Sequence, residues 1–355
     1  MKAGFSSGLF AVLLAGCCPP GAPFPNCATD GGNAGPAAWT TVLDLEDLDG
    51  AVLSVWGTGT DTVFAVGGPV GNQAETLAVL FSGGGWKRLH PGGQDTYWWV
   101  HGTSASDVWM VGEHGRISHW NGNAFSEHTS GVTATLWGVM AFSANDVWAV
   151  GGTPGEGTNE PNDIVLHYDG TNWSPETLPG NPRGSSLFKV WGTSASDLYV
   201  VGEHGTIWHR TASGWTLESA QYTPPLASGT LFTVHGCSST DVWAVGGNSV
   251  LHSDGTTWSK VPVTLNSQVN GVSCGPDGAV ALVGFGGMKM RRVNGEFVDE
   301  SEIEPYNDLH AAWIDPAGTV WASGGDWLAP AGPGRVREGV VARYGSGTVS
   351  ATVTP

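Results

Sequence analysis

The chain's most chemically suggestive pairing is a glutamate beside a histidine between glycines, and it occurs twice. HGTSASDVWMVGEHGRISHW spans 101–120 and WGTSASDLYVVGEHGTIWHR spans 191–210, with thirteen of the twenty positions identical. A Glu-His pair can do acid–base work or ligate a metal. Adjacent side chains make a poor chelate, however, and a metal site needs three or four ligands. Gly-Glu-His-Gly is also a natural hairpin connection, in which Gly supplies positive φ. A third copy has Gly246-Gly247-Asn248 in the same place, so the slot is filled without the pair. Glu113-His114 and Glu203-His204 are therefore read as turns. The Thr-Ser-Ala-Ser-Asp segments at 103–107 and 193–197 offer hydroxyls and a carboxylate to calcium. Too few carboxylates converge for that, and closing a tight turn through local amides fits better. No metal and no cofactor is expected.

Both segments belong to a longer repeat. Copies of aromatic-Gly, polar turn and Val-aromatic-x-Val-Gly begin at 55, 100, 136, 190 and 234, with degenerate copies at 272 and 312. The six intervals from Trp56 to Trp313 cover 257 residues, about 43 each, the period of a four-stranded propeller blade. Strand a ends at the aromatic-Gly. Strand b is Asp-Val-Trp-Ala-Val-Gly, strand c an Ile/Leu-x-His run, and strand d begins near a Trp after an Asp-Gly turn. Strand b is nearly continuous hydrophobe, as in Val108-Trp109-Met110-Val111. A half-exposed strand alternates, whereas a strand packed between two blades is buried on both faces. The expected fold is all-β, a seven-bladed β-propeller of four-stranded antiparallel blades over residues 37–355. Residues 39–45 look like a strand d without its own a to c. Either they or 348–353 supply the outermost strand of the closing blade. Trp109, Trp148, Trp243 and Trp321, with Phe64 and Tyr199, share one strand-b position and mark packing between blades. Tyr97, Trp98 and Trp327 fall outside that register and suit ligand stacking better.

The Val-Trp-Ala-Val-Gly and Asp-Gly-x-x-Trp segments resemble those of Asp-box (BNR-type) propellers and of propellers similar to the photosystem II assembly factor. The Trp-Gly-Thr-Ser-Ala-Ser-Asp-Val-Trp version resembles repeat-rich secreted proteins of myxobacteria. The likeness covers roughly 50–345. It departs from the strict Asp-box, because Ser253-Asp254-Gly255-Thr256-Thr257-Trp258 is shorter. It implies fold more than function, since propellers host unrelated activities.

Catalysis on this fold would draw on strands near the channel. A glycosidase needs paired carboxylates there, and a sialidase resembles a site with clustered arginines. Across the seven a-strands only Asp308 is acidic and only Lys189 is basic. A binding or scaffold module is therefore favoured. The alternatives are a glycoside hydrolase-like enzyme and an assembly factor for an envelope complex. Insertions mark a face: the b–c connections are long at 67–76, 152–162 and 325–338, and d–a connections emerge on the same side. That places Glu75, Glu156, Glu160, Trp327, Arg335 and Arg337 there. Trp327, Arg335 and Arg337, with Glu156 and Glu160, are the candidate ligand-binding residues, near the seam of blades 7 and 1.

The N-terminus reads as targeting. Lys2 precedes an apolar run from Phe5 to Leu14, too short to span a membrane. Leu14-Ala15-Gly16-Cys17 resembles a bacterial lipobox, which implies a signal peptide over 1–17 and lipidation of Cys17. Residues 18–36 are rich in Pro, Gly and small polar residues and read as a flexible tether. The expected location is the bacterial envelope, lipid-anchored at the outer membrane or cell surface. Disulfides persist in such a compartment. Cys237 and Cys274 sit at nearly equivalent places in consecutive repeats and are candidates to staple them, and Cys18 with Cys27 to close a loop. The formal charge of −18 repels nucleic acid and anionic lipid. The expected partner is an envelope protein or glycan, the only membrane contact is the lipid anchor, and the protein is expected to be a monomer.

Overall fold

The computed structural model describes residues 37–44, 50–69, 75–155, 162–180, 184–325, 338–346, 349 and 353–354. These form seven sheets, each with antiparallel strands a to d, arranged as a β-propeller. Blades 1 to 6 take their core strands from 50–88, 97–128, 136–175, 187–217, 233–260 and 269–299. Blade 7 takes strands a to c from Leu309–Ile314, Val320–Gly325 and Gly339–Gly345. Each strand a touches the strand a of the next blade, so these strands line the axis.

The open question about closure is answered by the N-terminal strand. Ala38–Asp44 pairs antiparallel with Gly339–Gly345 as strand d of blade 7. The neighbouring blades grip it: Trp39 Nε1 donates to Glu300 Oε2 (2.6 Å) in blade 6, and Trp86 Nε1 of blade 1 donates to the Val42 carbonyl (2.9 Å). The C-terminal strand Val353–Thr354 instead adds a parallel fifth strand outside Gly85–Arg88 of blade 1. The two ends thus fasten adjacent blades.

The radial layers follow from side-chain size. Strand b is buried along its length, as in Asp107–Gly112. Its aromatic packs on the outer strands of the next blade. Trp109 meets Tyr168 and Trp173, Trp148 meets Trp215, Tyr199 meets Trp258, Trp243 meets Phe297, and Trp321 meets Phe81 and Trp86. The aromatic-Gly motif has a matching explanation nearer the axis. The glycine is where the preceding blade's tryptophan lies: Trp56 on Gly102, Trp191 on Gly236 and Trp313 on Gly57. A Cβ on Gly236 would stand 2.3 Å from the Trp191 ring. Where the preceding residue is smaller and polar, a hydrogen bond replaces the ring. His101 Nδ1 accepts from the Ala141 amide (3.1 Å), His235 Nδ1 from the Cys274 amide (3.0 Å), and Ser273 Oγ from the Ile314 amide (3.0 Å). At the blade 5–6 junction Cys237 and Cys274 are bonded to each other, with Cα atoms 5.0 Å apart.

Two stability measurements follow. Leu43 is fully buried in the closing strand, so Leu43→Ala should cost about 2–5 kcal/mol in urea unfolding, where a frayed terminal strand would give no measurable change. Gly236→Ala should destabilise by about 1–3 kcal/mol through overpacking. Combining it with Trp191→Ala should cost less than the sum of the two single changes, because the clash is removed with the ring.

Candidate functional site

The repeat's chemistry-bearing residues are assembled within single blades, in blades 2 to 5 and in altered form in blade 7, not at one centre. The aspartate that opens strand b accepts from the strand-b tryptophan and from the strand-c histidine. Asp107 Oδ1 is 3.1 Å from Trp109 Nε1 and 2.8 Å from His119 Nε2. Asp146 holds Trp148 and His167, and Asp241 holds Trp243 and His252, in the same way. In blade 4 Tyr199 replaces the tryptophan, and Asp197 keeps His209. Each histidine lies against its aromatic, with centroids 4.0–4.5 Å apart. In blade 7 Asp315 accepts from Trp321, and Arg343 stands over the ring in place of a histidine. The Thr-Ser-Ala-Ser-Asp segment is thus a turn whose carboxylate reaches inward. Thr103 and Thr193 donate to the second oxygens of Asp107 and Asp197.

The Gly-Glu-His-Gly segments are single 3₁₀ turns between strands b and c. Their glutamates fasten the start of strand a: Glu113 Oε2 accepts from the Thr96 amide and Glu203 Oε2 from the Ser186 amide, both at 2.9 Å. The sequence reading gave the positive φ to glycine. The structure gives it to the histidine as well, at φ 56° for His114 and 58° for His204, and histidine is among the residues that tolerate this region better. His114 pairs with Asp95 (2.8 Å) beside a cleft of about 630 Å³ lined by Arg116, Glu127 and His128. His204 borders a smaller cleft of about 260 Å³ with Tyr222 and Leu226. These contacts leave the glutamates occupied with backbone.

The channel mouth holds a feature the sequence did not announce. In six blades the a–b ladder shifts register early in strand a, at Leu53, Trp98, Trp137, Phe188, Asn270 and His310. Phe232 stands at the equivalent place in blade 5. A bulge leaves one residue outside the ladder and re-aims its side chain. Here the rings meet one another around the axis. Trp98 lies 4.5 Å from Trp137 and 5.7 Å from His310, Trp137 is 5.4 Å from Phe188, and Phe188 is 5.5 Å from Phe232. The carbonyls at the bulges are taken by neighbouring side chains. His310 Nδ1 donates to Leu53 O, Lys189 Nζ to Trp137 O, Thr233 Oγ1 to Asn270 O and Asn270 Nδ2 to Leu309 O. Trp137 Nε1 donates to the Gly152 carbonyl in the b–c connection of blade 3, so this collar lies on the face of the long connections.

Just below the collar, Lys189 lies 4.2 Å over the Trp99 ring. Burial pushes its ammonium down to about 7. Burial also holds three channel histidines neutral, with His101 and His310 at about 3 and His235 at about 4. His310 is lowered further by Lys189.

Of the residues singled out for ligand stacking, Tyr97 is fully buried and bonds Ser118, so it is core. Trp98 belongs to the collar. Trp327, Arg335, Arg337, Glu156 and Glu160 lie outside the described residues, as do Cys17, Cys18 and Cys27. The collar column lies four residues before the aromatic-Gly glycine in blades 1, 2, 4 and 5. In blade 3 the Trp137-Gly138 pair that reads as the motif starts at the collar position itself, and Met140-Ala141 stands opposite Trp148 and Val147 in the motif's place. An aligned repeat could have shown it, but an apolar residue there reads as ordinary strand core.

Fold and collar define a seven-bladed β-propeller with a lined channel mouth. No protein-family model and no curated protein sequence matches the chain. It is similar in structure to streptogramin B lyase, at 14% identity and a TM-score of 0.66, covering 86% of this chain and 97% of that one. It is also similar to YCF48 bound to D1 peptide, at 11% identity and a TM-score of 0.62, covering 87% and 97%. YCF48 from Cyanidioschyzon merolae gives 12%, 0.62, 87% and 99%. At these identities the likeness is one of fold.

His209 offers a pH readout of the per-blade unit. Burial disfavours its charge, but Glu218 on Nδ1 and Asp197 on Nε2, both at 2.9 Å, outweigh this and raise its pKa above the ordinary 6.5. That stabilisation is complete below 6.5 and is lost as pH rises through the raised midpoint. An NMR titration should place the His209 midpoint above 6.5, and Glu218→Gln should lower it. A midpoint unmoved by Glu218→Gln would remove the pairing as the cause.

Proposed function

We propose that this protein is a lipid-anchored propeller of a bacterial envelope that binds a protein or glycan and does not transform it. One observation carries the reading. The innermost strands present aromatic rings, neutral histidines and one amine to the channel, with no carboxylate pair among the described residues of those strands. Asp308, the acidic residue at the start of a strand a, accepts from the Gly286 amide (2.8 Å). Glycoside hydrolysis needs two carboxyls about 5–9 Å apart across the scissile bond. The fold does not choose by itself, because one solved neighbour is a lyase and another is a peptide complex. The resemblance of the repeats to Asp-box propellers and to secreted myxobacterial proteins fits an exported binding module. Leu14-Ala15-Gly16-Cys17 supplies the anchor, 18–36 the tether, and Trp327, Arg335 and Arg337 extend the binding face near the blade 7–1 seam, with Glu156 and Glu160 on blade 3.

The test is capture from an envelope extract by the full-length protein, alongside a glycan array. Wild type should retain one partner class. Joint replacement of Trp327, Arg335 and Arg337 by Ala should weaken it by about tenfold or more, as loss of an aromatic–arginine hot spot does. Undiminished capture by the folded variant would take those residues out of the site. Cleavage of an arrayed glycan would overturn the binding reading in favour of a hydrolase.

A further inference from the structure

Lys189 is an unusual residue to find beside a propeller axis. The residue is 3% exposed, and it is the one lysine or arginine of the innermost strands. The other buried lysine, Lys289 in blade 6, is fully buried and shows what a structural amine looks like here. Lys289 Nζ donates to two carbonyls, Gly287 at 2.7 Å and Pro305 at 2.8 Å, and feels the carboxylates of Glu300 and Asp299. Lys189 Nζ donates to one carbonyl, Trp137 at 2.8 Å, and among the described residues no carboxylate acts on it. An ammonium has three protons to place. A ring face stabilises the cation without accepting a proper hydrogen bond.

Aromatic residues crowd this amine. Blade 2 supplies the Trp99 ring 4.2 Å from it, blade 3 supplies the Trp137 carbonyl, and the Trp137 ring meets Trp98 at 4.5 Å in the collar. Among the described residues, His310 of blade 7 is the titratable group that senses the amine, and it is neutral. A methyl group on Gly138 would stand 3.0 Å from the Lys189 Cα and 2.8 Å from the Phe188 carbonyl, so blade 3 leaves room for the lysine to lean across it. In a chain with a net charge of −18, a buried amine with no counter-ion among the described residues costs free energy unless a ligand brings the anion.

We propose that the channel mouth is a binding site for a small planar carboxylate, whose ring stacks within the Trp98–Trp137–Phe188–Phe232 collar and whose carboxylate pairs with the Lys189 ammonium. This deepens the binding reading by naming a ligand chemistry for its channel, and its success or failure is separable from the capture of an envelope partner. The pairing requires the charged amine. Binding therefore takes up protons near neutral pH and weakens as pH rises through the lysine's midpoint of about 7.

Indole-3-carboxylate and its uncharged analogue indole-3-carboxamide are the probes, titrated calorimetrically into the full-length protein at pH 6 and pH 8.5. The carboxylate should bind at least about tenfold more tightly than the amide at pH 6. Its affinity should fall by roughly thirtyfold at pH 8.5, the loss of charged amine expected from that midpoint. Lys189→Met should abolish the preference for the carboxylate. Lys189→Arg should keep some preference at both pH values and lose the pH dependence, so one variant that misfolds leaves the other to decide. A wild-type protein that ignores the carboxylate, or a folded Lys189→Met variant that binds it unchanged, overturns the proposal. Failure here with an envelope partner still captured would sink the channel site alone. Carboxylate binding with no partner captured would leave the channel site standing and sink the scaffold reading.

Discussion

The structure depends on one contact repeated around the ring: the strand-b aromatic wedged against the outer strands of the next blade. A single blade is a four-stranded sheet with two apolar faces and cannot bury either alone. An aromatic buries about 150–250 Å² and gains a further 0.5–1.5 kcal/mol or so from a well-placed ring partner. The Asp–Trp–His unit makes that wedge rigid. The aspartate fixes the indole nitrogen from one end and the strand-c imidazole covers its face, so the ring cannot turn. Polar groups are thereby used inside a blade to aim an apolar group between blades.

A second consequence appears at the axis. Strands approaching a common centre crowd as they near it, and the early bulge in strand a relieves the ladder there. In six blades it frees a carbonyl at the channel mouth and sets one residue outside the ladder. The freed carbonyls need donors, since a buried unpaired carbonyl costs about 1–3 kcal/mol. Lys189, Thr233, Asn270 and His310 supply them from neighbouring blades. The same bulge therefore explains why polar residues intrude among the aromatic ones, and why the intrusion is uneven from blade to blade.

Much of this architecture was legible in the sequence. The 43-residue period, the a-to-d order and the strand-b aromatic column are local patterns repeated often enough to read. The closing strand at 38–44 was visible as an orphan, but its partner was not, because 348–353 had an equal claim by composition. Long-range pairing decided it, through Trp39 to Glu300 and Trp86 to Val42. The propeller likeness was legible as fold only. The Asp, Trp and His of each unit were each noticed, as a turn, a packing residue and a strand marker. That they meet was not, since the Asp-to-Trp spacing is two but the Asp-to-His spacing runs from eleven to twenty-one. The collar was missed for a different reason: a bulge changes where a side chain points without changing its type.

The same reasoning separates the chain's two conspicuous polar features. Glu113 and Glu203 looked reactive because they stand beside histidines between glycines, yet both spend an oxygen on the amide that begins strand a. Their repetition follows from that backbone need, which recurs wherever the turn recurs. Lys189 has no counterpart at its position in the other blades, which carry Ser54, Trp99, Gly138, Thr233, Gly271 and Ala311. A residue the repeat does not require, whose charge burial disfavours and whose hydrogen bonding is incomplete, is poorly explained by the scaffold. In a ring built from copies, the departure from the repeat is a better guide to function than the motif.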